Sequence, residues 1–167
     1  MEQLVPSLLD RLTDDEPGVS TEARWHHSIS IEQLKDLVRR DLEALLNTRH
    51  SRIDLTDPIG KGGRREKVTH LAISSLTFGV PDFTASGVAG QEDRERVRRN
   101  VEFAIKRFEG RLRDTRVVLI ERESEHDMTI RLTIHSKLNL DPTPEPISFD
   151  TVVHTNQGSC SIEATGS

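Results

Sequence analysis

Carboxylates, histidines, one cysteine and a run of arginines are the residues of this chain whose types could do chemistry. Asp41 and Glu43 lie two residues apart inside a segment of helical periodicity. Paired acids run general acid/base or glycoside chemistry when a cleft holds both against one substrate. On a helix, positions i and i+2 diverge, so this pair does not share a substrate, and Glu43, flanking the apolar stripe, is placed to meet Arg39 or Arg40 near the core edge. Seven histidines raise the question of a metal, yet none falls in an HExxH helix, and a single cysteine excludes both a Cys-rich zinc site and an intramolecular disulfide. His26 and His27, beside Trp25, read as surface loop. Cys160 alternates with Ile162 and is expected to be a small buried thiol, since an activated thiolate needs a basic, partly exposed setting. Lys61-Gly62-Gly63-Arg64 has the composition of a phosphate loop without its GxxxxGK[ST] order, and reads as flexible chain. No catalytic residue, metal or cofactor is expected.

The chain has 167 residues, 31% of them charged, and a net charge of -5, which suits one globular domain with a water-facing surface. No apolar run approaches the ~20 residues of a membrane-spanning helix. The N-terminus lacks the basic and apolar regions of a signal peptide, so the cytoplasm is the expected compartment. Charge is polarised: residues 1–23 hold six acids against Arg11, while residues 91–116 hold nine bases and six acids. That basic stretch prompts a nucleic-acid reading, which the net acidity weakens. Aromatics at 4%, with no tyrosine, leave few platforms for stacking bases or sugars.

The elements that must position these residues follow from periodicity. Leu4, Leu8, Leu9 and Leu12 fit a short helix, and Pro17-Gly18 ends it in an acidic linker, making residues 1–24 an N-terminal appendage to a single domain at 25–167. Ser30-x-x-Gln33 is a capping-box pattern, and Ile31, Leu34, Leu37, Val38, Leu42, Leu45 and Leu46 recur on one face, predicting a helix over Ile31–Asn47. Val68–Phe78 is read as a short helix ended by Gly79 and Pro81. A second long helix starts at Gln91 with an acidic first turn, has Val97, Val101, Ala104, Ile105, Phe108 and Leu112 as its core face, and can end at Gly110. The period then changes to two. Met128, Ile130, Leu132 and Ile134 mark one face of a strand, with further strands at Arg116–Ile120, Ile147–Val153 and Ser159–Ala164, a turn at 123–127 and another at Asn156-Gln157-Gly158. The expected fold is α+β, with N-terminal helices packed on a C-terminal antiparallel β-sheet of about four strands. The last strand is a candidate free edge, and proline at Ser161 is expected to block strand addition there.

Three segments carry a resemblance. Val38-Arg39-Arg40-Asp41-Leu42-Glu43-Ala44-Leu45-Leu46-Asn47-Thr48-Arg49, Phe78-Gly79-Val80-Pro81-Asp82 and Phe108-Glu109-Gly110-Arg111-Leu112, in this order and after Pro6-Ser7-Leu8-Leu9-Asp10-Arg11-Leu12, resemble the motifs of the TssE family of type VI secretion baseplate subunits. That family is related to the lysozyme-like wedge proteins of contractile phage tails. Gly110 stands where the family motif has proline. The resemblance implies a structural subunit of a cytoplasmic baseplate docked at the inner membrane, with TssF, TssG and TssK as wedge partners and the TssB/TssC sheath as the next layer. It implies no membrane insertion, no nucleic acid and, despite the lysozyme label, no muramidase activity. Arg40, Asp41, Glu43, Asn47, Arg49, Gly79, Pro81 and Asp82 are then structural motif residues. Glu109, Gly110 and Arg111, with Arg107 beside them, are the implied contact with the TssF/TssG bundle, so that alanine at Glu109 or Arg111 would cost about 2–4 kcal/mol of binding without unfolding the domain. A lysozyme-like cell-wall hydrolase and a nucleic-acid-binding domain using residues 91–116 are the alternative readings.

Overall fold

The computed structural model describes residues 29–50, 75–82, 90–120 and 129–164. The expected N-terminal helix and acidic linker, the His26-His27 pair, the 61–67 loop, the 68–74 part of the short helix, Met128 and the 123–127 turn lie outside the described residues.

Helix α1 spans Ile31–Asn47, as its periodicity requires. Ser30 caps it in both directions: its hydroxyl accepts from the Gln33 amide at 3.1 Å, and its own amide donates to the Gln33 side chain at 2.9 Å. Leu34, Val38, Leu42, Leu45 and Leu46 are buried, while Ile31 and Leu37 lie at the margin of the stripe. Thr48 ends the helix in extended backbone, with its amide on Ala44 and Leu45 and its hydroxyl on the Ala44 carbonyl at 2.7 Å. A two-residue strand follows, β1 at Arg49–His50, paired in parallel with β2 at Val80–Pro81.

Of the expected short helix over Val68–Phe78 the described part is one 3₁₀ turn at Ser75–Thr77, which stops before Gly79, and the chain beyond it is strand. Gly79 makes the parallel pairing possible. Its φ is +108°, and a Cβ there would stand 2.3 Å from the Thr48 carbonyl oxygen. Only glycine lets the backbone come so close to the end of α1, where the Val80 amide then donates to that carbonyl at 2.9 Å.

Helix α2 spans Gln91–Phe108, with Glu92 and Asp93 in its first turn and Lys106 and Arg107 in its last, both favourable to the helix dipole. Val97, Val101, Ala104 and Ile105 are buried. The helix stops where expected, with Glu109 as C-cap and Gly110 just beyond it, but Gly110 does not adopt the left-handed conformation of a terminating glycine. Leu112 belongs not to the helix but to β3, because Glu109–Leu112 forms a turn closed by the Leu112 amide on the Glu109 carbonyl at 3.3 Å.

Strands β3 (Leu112–Leu119), β4 (Thr129–Leu138), β5 (Glu145–His154) and β6 (Ser159–Ala164) form an antiparallel meander in chain order. β3 begins four residues before the expected Arg116 because a bulge hides its period. Between Arg113 and Arg116 the register shifts, Asp114 takes φ 55°, and Thr115 turns inward to bond Ser136 at 2.9 Å. Ile130, Leu132, Ile134, Phe149, Val153 and Ile162 build one sheet face, and both helices pack against the sheet, α2 along β3 and α1 along β6. The architecture is the expected α+β.

Candidate docking site at the helix ends

The chain turns sharply from α2 into β3, and four charged side chains, Arg40, Asp41, Glu109 and Arg111, meet there. Glu109 is buried, with its carboxylate 8% exposed, and its neighbour two residues on neutralises it. Arg111 donates to Glu109 Oε1 from Nε at 2.8 Å and from its backbone amide at 3.1 Å, and to Oε2 from Nη2 at 2.6 Å. The same Nη2 reaches across to Asp41 Oδ2 of α1 at 2.6 Å. Arg40 approaches the other oxygen of Asp41 at 3.2 Å. The hydrogen bonds to Glu109, and after them those to Asp41, hold the Arg111 guanidinium firmly protonated against the opposing effect of burial. One guanidinium therefore ties together the end of α2, the start of β3 and the middle of α1. The resemblance implied Glu109 and Arg111 as a partner contact. Within the domain their charges face each other and Asp41, because a carboxylate this buried is stable only when paired.

What this corner does expose is aromatic. Phe103 is 61% exposed, off the core stripe of α2. Arg107 lies 5.9 Å from the ring centroids of both Phe103 and Phe108, and Phe108 meets Phe78 edge to face at 5.3 Å. Gly110 is exposed beside them, with nothing within 4 Å of a Cβ built on it.

The second constellation is the end of α1. Asn47 turns its amide onto β6: Nδ2 donates to the Cys160 carbonyl at 2.9 Å, and Oδ1 accepts from the Cys160 amide at 2.8 Å. Its Nδ2 also reaches the Glu43 carbonyl at 2.8 Å. Arg49 donates to the Leu46 carbonyl at 2.6 Å and also to that of Gly158, while Thr48 carries the close approach of Gly79. Pro81 pairs with His50, and Asp82 follows directly. Glu43 meets Arg39, one of its two expected partners, at 3.5 Å in a half-buried pair beside the apolar stripe. Asp41 and Glu43 thus serve different arginines on diverging bearings.

A third constellation, not foreseen from the sequence, closes the opposite edge of the sheet. Glu102 Oε2 of α2 accepts from the Val117 amide at 3.2 Å, and Arg98 Nη1 donates to the Val117 carbonyl at 3.1 Å, the two side chains being joined at 2.6 Å. Burial pushes the Glu102 carboxyl up. Hydrogen bonds from Lys106 and the Val117 amide, with the charges of Lys106 and Arg98, outweigh it and hold the group below its ordinary value. Arg98 also holds Glu95 at 2.6 Å, and this hydrogen bond lowers the Glu95 carboxyl. The i, i+4 spacing of Arg98 and Glu102 was visible in the sequence. Their common target nineteen and fifteen residues on was not.

Cys160 is buried as expected, and burial pushes its thiol up to about 12. Among the described residues there is no cluster of three or more potential metal ligands, and no helix is long and apolar enough to cross a membrane. The family model described as baseplate wedge protein gp25 matches residues 32–143, a span that takes in the Asp41, Asn47, Gly79, Glu109 and Arg111 positions. No curated protein and no solved structure matches the chain.

Proposed function

The chain belongs to the gp25 family of baseplate wedge proteins, and from that premise we propose that it is the TssE-like subunit of a type VI secretion baseplate, joining the TssF/TssG wedge to the TssB/TssC sheath. Family membership supports a structural role in a phage-tail-like baseplate, and the match across residues 32–143 is the observation that carries the reading. In this role the Glu109-Gly110-Arg111 turn meets the TssF/TssG bundle as a shaped corner. Its charges brace the turn from within, and the surface it presents is Gly110 with the flanking aromatic group and Arg107. TssK is a further wedge partner, and the assembly stands on the cytoplasmic side of the inner membrane.

The domain acts by binding, not by catalysis. In support, Glu43 is held apart by Arg39, and Asp41 and Glu109 converge only on the Arg111 guanidinium, which neutralises both and fills the space between them. A nucleic-acid role draws less support than the base count of residues 91–116 suggests. Arg96, Arg98, Lys106 and Arg111 are each within 2.7 Å of a carboxylate of this chain, which leaves a weaker field for phosphates.

The test is co-purification of the tagged chain from its own cells, followed by mass spectrometry. TssF, TssG and TssK should be recovered, with TssB and TssC when the sheath is assembled. Recovery of nucleic acid or cell-wall fragments in their place, or muralytic activity in a zymogram that Glu43→Gln abolishes, would overturn the reading.

A further inference from the structure

The hydrogen-bond parity of the sheet can be traced from edge to edge. Val117 turns its backbone groups to α2, so Arg116, Val118 and Ile120 are the residues that bond β4, as the Ile120 amide on the Arg131 carbonyl at 2.9 Å bears out. Carried across β4 and β5 through the register, the alternation makes Ser161 and Glu163 the residues of β6 that bond β5, opposite Val152 and Asp150. Cys160, Ile162 and Ala164 point their amides and carbonyls away from the sheet. Proline at Ser161 would therefore break the domain's own ladder rather than block an incoming strand.

Of these three outward residues, Cys160 already has both groups satisfied, by the two ends of the Asn47 amide. A primary amide presents one acceptor and one donor side by side, which is what a residue of a neighbouring strand would present. Asn47 thus stands where an added strand would run.

We propose that Asn47 is an edge lock: its amide takes the place of a pairing strand at Cys160, prevents β6 from pairing with β6 of a second copy of this chain, and confines strand addition to Ile162 outward. The occupant follows from symmetry. An edge strand is self-complementary about a two-fold axis, and with Ile162 on that axis Cys160 of one copy would exchange hydrogen bonds with Ala164 of the other. Three outward residue pairs would form in that register. The lock removes both pairs that involve Cys160 and leaves only Ile162 against Ile162, too little to hold two chains together. The opposite edge has its own plug at Val117, so the two helices close the two edges by the same device.

The inference stands on the geometry of the edge alone, whichever partners the baseplate supplies. Amide exchange on the purified full-length chain tests it first. The Cys160 amide should exchange roughly fivefold to tenfold more slowly than that of Ile162, the protection one net hydrogen bond gives. Equal exchange at the two positions would overturn the lock, and this measurement needs no variant to fold. Sedimentation tests it second. The wild-type chain should sediment as a monomer, Asn47→Ala should dimerise with rising concentration, and Asn47→Ala with Ala164→Pro, which removes an outward donor without touching the β5 ladder, should return to monomer. A folded Asn47→Ala variant that releases the Cys160 amide yet stays monomeric would refute the proposal, as would dimerisation that Ala164→Pro leaves intact.

Discussion

Arg111→Ala is the substitution that most directly tests the brace between the two helices. It removes two charge-assisted hydrogen bonds from Glu109, at 2.8 and 2.6 Å, and one from Asp41, at 2.6 Å. Glu109 keeps only the backbone amide of residue 111 and cannot turn to water, because its carboxylate is 8% exposed. Removing one member of a buried pair costs about 3–5 kcal/mol. The Arg111 side chain is 29% exposed, which admits solvent screening, and the surviving amide bond helps, so about 2–3 kcal/mol is expected here. For a chain of this size that is a fall in Tm of about 5–10 °C, read by circular dichroism with urea unfolding in parallel. The reasoning makes a second, sharper demand. If the damage comes from an uncompensated charge, adding Glu109→Gln to Arg111→Ala should recover about 1 kcal/mol rather than deepen the loss. A Tm within about 1 °C of wild type for Arg111→Ala, or a double variant less stable than the single one, would refute the brace and return both side chains to the role of free contact residues. Loss of TssF/TssG recovery by Arg111→Ala counts as a binding effect only where the variant keeps its wild-type Tm.

Gly79→Ala should cost more than about 2 kcal/mol in urea unfolding, since it combines a positive φ with a Cβ 2.3 Å from the Thr48 carbonyl oxygen. Gly110→Ala should act oppositely, raising stability by about 0.4–1 kcal/mol, because the added Cβ meets nothing within 4 Å and only the unfolded chain loses freedom. The Cys160 thiol, pushed up to about 12, should resist iodoacetamide at pH 8 in the native state and react once the chain is unfolded. Glu102 has a carboxyl lowered in the folded state, so its contribution is present above the ordinary carboxylate value of about 4.3 and is lost as pH falls through the lower folded one. The stability gap between wild type and Glu102→Gln should accordingly be largest near neutral pH and close in acid.

The parts of this fold that were legible in the sequence are those set by one local period. The capping box at Ser30 and Gln33 and the stripe from Leu34 to Leu46 are contained within one helix, and α1 has the predicted bounds. The alternation of Ile130, Leu132 and Ile134 is likewise local to β4. Where a side chain replaces a backbone partner, the period fails. The carboxylate of Glu109 builds the turn that a left-handed glycine was expected to build, and the inward Thr115 breaks the alternation that would have revealed the first half of β3. The Asp41 to Arg111 contact joins residues 70 apart, and no spacing rule reaches that far. The family motifs marked both residues without saying that they touch.

Seen by contact rather than by motif, the marked residues sort into those that hold the corner and those that face out of it. Asp41, Glu109 and Arg111 lock α1 to the turn after α2, while Asn47, Arg49 and Gly79 lock α1 to both sheets. The sheet would otherwise present two open edges, and each helix closes one of them at a single residue, Val117 or Cys160. What the described residues expose at this corner is Phe103, with the Arg107 guanidinium over its ring, and Gly110. An aromatic and arginine group held by a rigid turn is the composition that concentrates binding energy at protein interfaces. A wedge partner should therefore feel Phe103→Ala, which leaves the brace untouched, as a loss of affinity with no change in Tm, the reverse of the pattern expected for Arg111→Ala.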